Sequence, residues 1–231
     1  MTEGVVILGP VFGLETATIM GPCVLGHPAD GRKDEPLMLG NGVVIRAFAV
    51  LYQAVSIGAR SHVGHGALIR EDNVIGADCS IGSGAHLEPG NRIGARTRIH
   101  SGGFLASTKL GSDVFCGPRV VFTDDPHPPC PRYRDCVGGA TVEDGATIGA
   151  NVTVLPGITV GRGSLVGAGS VVTKSVGQGD VVIGNPARCV GRRDQLACGA
   201  GLFDRAYVWT EKRPDGPKSG GPAESGATEH P

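Results

Sequence analysis

Aromatic residues make up only 4% of this 231-residue chain. Sandwiches and closed barrels fill their interiors with large rings, so a core of that kind is not expected. No apolar run reaches the roughly 20 residues of a membrane-spanning helix, and no membrane partner is expected. Neither sign of charge dominates: 21 Lys and Arg face 22 Asp and Glu, a net charge of −1. That balance argues against a nucleic-acid partner or a polybasic membrane patch. The opening residues, with Glu3 and no basic stretch, do not read as a secretory signal. Seven cysteines, odd in number and irregularly spaced, do not form a secreted disulfide framework. A reducing, cytoplasmic setting is therefore expected.

What is present is glycine, at 39 residues, and an aliphatic side chain at a fixed interval. Every sixth residue from Leu51 through Ile57, Val63 and Ile69 to Leu105 is branched. The next residue is often glycine, as at Gly58, Gly64, Gly76, Gly82 and Gly94. After a one-residue slip the series resumes at Leu110, Cys116 and Phe122, and after an interruption at Val142, Ile148, Val154, Val160, Val166 and Val172. A period of six is neither that of a helix nor that of an ordinary strand. It marks a chain wound into a three-sided prism, each face one short strand, with the aliphatic pointing inward. Three hexads complete a coil, so Val63, Ile81, Ile99 and, after the slip, Cys116 form one inward column. Strand spacing sets successive coils about 4.8 Å apart. Glycine at the corners is expected to supply positive φ without a Cβ clash. The fold class expected is an all-β parallel β-helix with a short helical or irregular C-terminal segment.

The prism is expected over residues 1–190, with Leu8, Leu14 and Met20 keeping the spacing in the less regular first coils. Two segments break the pattern and read as loops thrown out from corners. One is 27–38, with Pro28, Pro36 and a charge cluster; the other is 123–139, which four prolines stiffen. Residues 191–209 are expected to fold back as short helix or irregular chain. Residues 210–231, rich in Gly, Pro, Ser, Glu and Lys, read as a disordered tail.

The hexads with their interruption resemble the left-handed β-helix acyltransferases. The resemblance covers roughly residues 40–190. It is sharpest in Asp113-Val-Phe-Cys-Gly-Pro-Arg-Val-Val-Phe-Thr-Asp-Asp125 and in the stretch from Ile148 through Val166 to Gly184-Asn-Pro-Ala-Arg188. These blocks are most similar to the branch that N-acetylates amino sugars on nucleotide carriers. The left hand of the coil is implied by this resemblance alone. So are a homotrimer with a site in each cleft between prisms, and acetyl-CoA lying along the C-terminal coils. The resemblance places the coenzyme at the corners carrying Gly149, Ala150, Gly167 and Ala168, with Lys174 and Arg188 matching the basic positions that meet its phosphates.

Acyl transfer from a thioester to an amine needs a neutral amine, close placement and a donor for the oxyanion. Histidine is the usual proton acceptor. His65, in Ser61-His-Val-Gly-His-Gly66, resembles the general base of several hexapeptide acyltransferases. His100, in Arg98-Ile-His-Ser-Gly-Gly103, takes the corner place that glycine usually holds. In the nucleotide-sugar branch that place often carries a polar side chain touching the substrate amine. The coil count separates the two histidines by roughly 10 Å along the axis, so one, the other or neither is the base. His62 and His86 precede inward aliphatics, and His230 lies in the tail. Arg98, Asp124, Asp125 and His127 are the candidate acceptor contacts. Where the related motif reads Thr-Asn-Asp, this chain reads Thr123-Asp124-Asp125-Pro126-His127. The added carboxylate suits an ammonium or sugar hydroxyls; an Asx turn explains it equally well.

His127, Cys130 and Cys136 are loosely spaced and no second Cys-x-x-Cys pair completes a site, so no metal is expected. A Cys130–Cys136 disulfide is disfavoured in a reducing compartment. The expected activity is acetyl transfer from acetyl-CoA to the amine of a nucleotide-linked amino sugar. The alternatives are O- or N-acylation of another small alcohol or amine, a zinc hydratase resembling the γ-class carbonic anhydrases, and a non-catalytic scaffold.

Overall fold

A computed structural model describes residues 3–30 and 35–208. The expected disordered tail, with His230, lies outside the described residues, as does part of the first expected loop. The strands recur in strict rotation among three sheets of nine, eight and ten members. The first sheet begins with Val5–Ile7, the second with Val11–Phe12 and the third with Thr18–Met20. Up to the last coil each strand pairs in parallel with the one three places later. There Leu165–Val166 pairs with Asp180–Ile183, the second sheet being reduced to a Val160–Val176 bridge. The whole is a β-solenoid consistent with the left-handed β-helix. Only Arg188–Arg192 runs antiparallel, against Asp180–Ile183 at the end of the third sheet. Among the described residues the helix content is one α turn, Tyr133–Cys136, and two 3₁₀ turns, Leu14–Thr16 and Arg193–Gln195.

The aliphatic columns are the core. Val63, Ile81, Ile99 and Cys116 stack in register up the third sheet and all are buried. Leu51, Ile69, Leu87, Leu105 and Phe122 do the same in the first sheet. A two-residue strand exposes little apolar surface by itself, so each coil depends on the coils above and below it.

The first coils keep the expected phase at Leu14, which packs against the core, but not at Leu8 and Met20. Leu8 and Met20 are 49% and 45% exposed, whereas Ile19 pairs with buried Ile45 and Ile7 with buried Leu25. Position along the prism, not spacing alone, sets which residue turns inward. The loop expected at 27–38 is shorter too, because Leu37–Leu39 already forms a strand of the second sheet. At the far end the last strand runs to Arg192, two residues past the expected boundary.

The role expected of the corner glycines also needs correcting. Gly64 and Gly149, each directly after an inward aliphatic, do not have positive φ. A Cβ on Gly149 would lie 2.5 Å from the Ala168 amide nitrogen of the next coil, and one on Gly64 would strike the Ser83 amide. These glycines are needed because the coils approach closely there. Positive φ falls two residues later and is met by Arg60, Asp78, Arg96 and Asp113 as well as by glycine. Those four form exposed pairs, Arg60–Asp78 and Arg96–Asp113, each at 2.7 Å. Surface pairs of this kind add about 0–1 kcal/mol each.

Polar side chains line the interior at the coil junctions. Asn73, Asn91, Thr97 and Ser61 are fully buried. The Asn91 amide donates to Asn73 Oδ1 at 2.9 Å, while Asn91 Oδ1 accepts the Thr108 amide at 2.8 Å. Ser61 and Thr97 accept the Cys79 and Val114 amides in the same way. Backbone donors that the ladders leave over at a bend thus find partners in the preceding coil.

Candidate active site

The candidate residues sort onto two edges of the prism. His65 and His100 lie at corners where the third sheet turns into the first, following Val63 and Ile99. Gly149 and Ala150, then Gly167 and Ala168, lie on that same edge, following Ile148 and Val166. In register, Ile99 pairs with Cys116 and Cys116 with Ile148, so Gly149 sits two coils beyond His100, about 10 Å along the axis. Val63 pairs with Ile81 and Ile81 with Ile99, so His65 sits two coils before it. Arg188 closes the edge: it pairs with Ile183, whose side chain fills the space against Gly167.

The second edge runs where the first sheet turns into the second. It carries residues 123–139, which leave the prism after Phe122 and return before Thr141, and it carries Lys174 two coils further on. Within one chain, therefore, Asp124, Asp125, His127 and Lys174 are not brought to the edge of His100.

Both histidines of the first edge are exposed. The His100 ring packs on Phe115 of the next coil, with centroids 4.9 Å apart. His100 takes the place held by Gly82 one coil earlier and Gly117 one coil later. Its side chain consequently projects from an edge otherwise kept smooth. Arg98, on the same strand, is exposed on the outer face of the third sheet. His86 lies elsewhere, on the first sheet, with Nε2 3.0 Å from Glu88 and its ring against Phe104. Among the described residues, His62, His65 and His86 do not gather into a metal-binding group within one chain.

The loop carboxylates are engaged by the preceding coil and by their own segment. Ser107 donates to Asp124 Oδ2 at 3.0 Å, and Asp125 Oδ1 accepts the His127 amide at 2.9 Å, an Asx turn. The structure also brings Asp125, His127 and Cys136 together, with ligand-capable atoms all within 4.8 Å of one another. Spacing pointed to His127 and Cys136 but not to Asp125, which the Asx turn folds back towards them. Cys116, in the column beneath the first edge, is unsuited to nucleophilic attack: full burial pushes its thiol up to about 12.

An open cleft of about 320 Å³ lies on the second sheet, among Arg92, Lys109, Thr141, Glu143, Asp144 and Arg162. Its charges are partly spent on each other, with Arg162 3.0 Å from Asp144 and its amide donating to Glu143. It contains neither edge's candidates, so we do not place the chemistry there.

Coils, corners and repeat together define a parallel β-solenoid wound on a six-residue period. Residues 139–174 match the family model described as bacterial transferase hexapeptide (six repeats), and so span the coils carrying Gly149, Ala150, Gly167 and Ala168. No curated protein matches the chain. Among solved structures, the UDP-N-acetylglucosamine acyltransferase LpxA of Bacteroides fragilis 9343 superposes with a TM-score of 0.66 at 15% identity, covering 83% of this chain and 74% of its own. That likeness establishes the fold. A hexapeptide-repeat-containing acetyltransferase of Vibrio cholerae O1 biovar eltor, complexed with acetyl coenzyme A, is 29% identical over 51% of this chain and 69% of its own, at a TM-score of 0.47. A galactoside acetyltransferase in complex with coenzyme A is 24% identical over 53% of this chain and 68% of its own, at 0.48. No helix among the described residues is long and apolar enough to cross a membrane.

Proposed function

We propose that this protein is a CoA-dependent acyltransferase that moves an acetyl group from acetyl-CoA to the amine of a nucleotide-linked amino sugar. The observation that carries the reading is the single edge on which His65, His100, Gly149, Ala150, Gly167, Ala168 and Arg188 stand in line. A pantetheine arm needs a smooth strip of backbone, and the glycine and alanine corners provide one. Arg188 at its end would meet the phosphates, and His100, two coils down, would meet the thioester.

In this reading the neutral amine attacks the thioester carbon, the C–S bond breaks, and CoA leaves as its thiolate. The proton shed by the new amide nitrogen passes to His100 and from there to the departing sulfur. His65 lies too far along the axis to act on the same atom and would orient the acceptor. Arg98, beside His100, would contact the acceptor's anionic carrier.

The second edge enters if three prisms pack as a homotrimer, with the first edge of one facing the second edge of its neighbour. Asp124 and Lys174 would then reach a shared cleft, and Asp125 and His127 would act through the shape of the loop. The cytoplasm is the proposed location, in keeping with seven free cysteines.

The test is calorimetry with acetyl-CoA, followed by a panel of UDP- and dTDP-linked amino sugars, other amines and alcohols. Turnover with an amino-sugar nucleotide is expected, and His100→Ala should lower kcat about 10²–10⁴-fold with the trimer intact. Turnover only with a different amine or an alcohol would shift the reading to the broader N- or O-acyltransferase. Absence of acetyl-CoA binding would refute it.

A further inference from the structure

The segment 123–139 has no buried residue of its own. Its internal order rests on a few exposed bonds: the Tyr133–Cys136 turn, the Gly138 amide on the Asp124 carbonyl, and the Arg132–Asp135 pair at 2.7 Å. A loop this long without apolar anchorage needs another source of order, and small units without cores commonly use a metal or a disulfide. Three side chains with metal-ligand chemistry nevertheless converge within it. Asp125, His127 and Cys136 present ligand atoms mutually within 4.8 Å. Cys130 stands in the same segment but outside that group, and would turn in as the fourth ligand.

We propose that Asp125, His127, Cys130 and Cys136 form a structural zinc site that clips the loop. Zinc with sulfur at about 2.3 Å and nitrogen or oxygen at about 2.0–2.2 Å implies ligand–ligand separations of about 3.3–3.8 Å. Asp125, His127 and Cys136 have to contract by about 1 Å to reach that geometry, with the Cys130 side chain rotating in to complete it. The ligand set is mixed and closed, two thiolates, one imidazole and one carboxylate, which suits a structural rather than a catalytic centre. Asp125 is already oriented, since one of its oxygens holds the His127 amide; the carboxylate has a second oxygen for the metal. The metal takes no part in acyl transfer; its work is to hold the shape of the segment on the second edge.

The full chain would be purified with a phosphine reductant, stripped with chelator, and titrated with Zn²⁺ alone and with Co²⁺ alone. The expected result is one equivalent bound per chain, with a tetrahedral, thiolate-ligated Co²⁺ spectrum. Cys136→Ser and His127→Ala should weaken zinc by more than about 100-fold, since even outer-shell losses cost 10–100-fold. Cys189→Ser and Cys198→Ser should leave it unchanged. Zinc should also protect Arg132 and Arg134, both exposed in the loop, from trypsin. The loop variants leave the prism's core untouched, so circular dichroism should match the parent. Zinc that fails to bind the reduced protein, or that persists in the Cys136→Ser and His127→Ala variants, would overturn the site. So would a Cys130–Cys136 disulfide that forms regardless of added metal.

Discussion

Replacing Asn91 with leucine keeps the branched, four-atom side-chain skeleton and tests the polar ladder inside the prism. Asn91 is fully buried and touches both neighbouring coils. Its Oδ1 accepts the Thr108 amide, and its Nδ2 donates to Asn73 Oδ1 and to the carbonyls of Glu88 and Leu105. The two carbonyls keep other donors, from the Asn73 side chain and the Glu88 amide. The Thr108 amide and Asn73 Oδ1 do not. Each buried group left unpaired costs about 1–3 kcal/mol, so Asn91→Leu should destabilise by about 2–6 kcal/mol. Urea unfolding gives the total, and hydrogen exchange gives the place: the Thr108 amide should lose protection first. A change below about 0.5 kcal/mol, with Thr108 still protected, would mean that burial of leucine offsets the orphaned groups and that the ladder is not what stabilises this junction.

Two further measurements probe other parts of the fold. Gly64→Ala drives a Cβ into the Ser83 amide, whereas Gly66→Ala meets open space at φ +62 and bears only backbone strain of about 1–2 kcal/mol. Thermal melting should therefore rank Gly64→Ala as the more damaging, although both flank His65. Cys116 has a folded-state value near 12 against an ordinary 9.0. The folded chain therefore holds a proton that the unfolded chain gives up, so stability is intact below about pH 9 and falls as pH rises towards 12. Cys116→Val should flatten that alkaline loss in denaturation curves taken at successive pH values; an unchanged curve would place the loss elsewhere.

The regular coils were legible because inward aliphatics such as Ile81 and Ile99 repeat with a period that only a prism satisfies. The phase of the first coils was not, because Leu8 and Ile7 are adjacent aliphatics and only pairing with Leu25 distinguishes them. The function of Gly64 was misread, since close approach between coils leaves no mark in one coil's own sequence. On the candidate site, spacing by six set His65 and His100 two coils apart, while the register of Gly149 across the interruption came from the strand pairing. The same count sets Val172 one face on from Val166, so the separation of Lys174 from that edge was legible, but the resemblance grouped Lys174 with Arg188. The gathering of Asp125 with Cys136 depends on a turn and a short helix inside a segment that has no period to read.

The coil that drops one residue at Ala106–Lys109 and the coil that gains the long segment meet at one corner. Ser107 on the shortened bend holds Asp124, and its carbonyl lies where any side chain on Gly139 would have to go. The deletion and the insertion thus form a matched pair, one making the seat that the other occupies. Restoring the missing residue would lengthen the bend and raise it under both ends of the segment. Grafting the segment onto a full-length coil of a related prism should fail for the same reason, unless the shortened coil is transplanted with it.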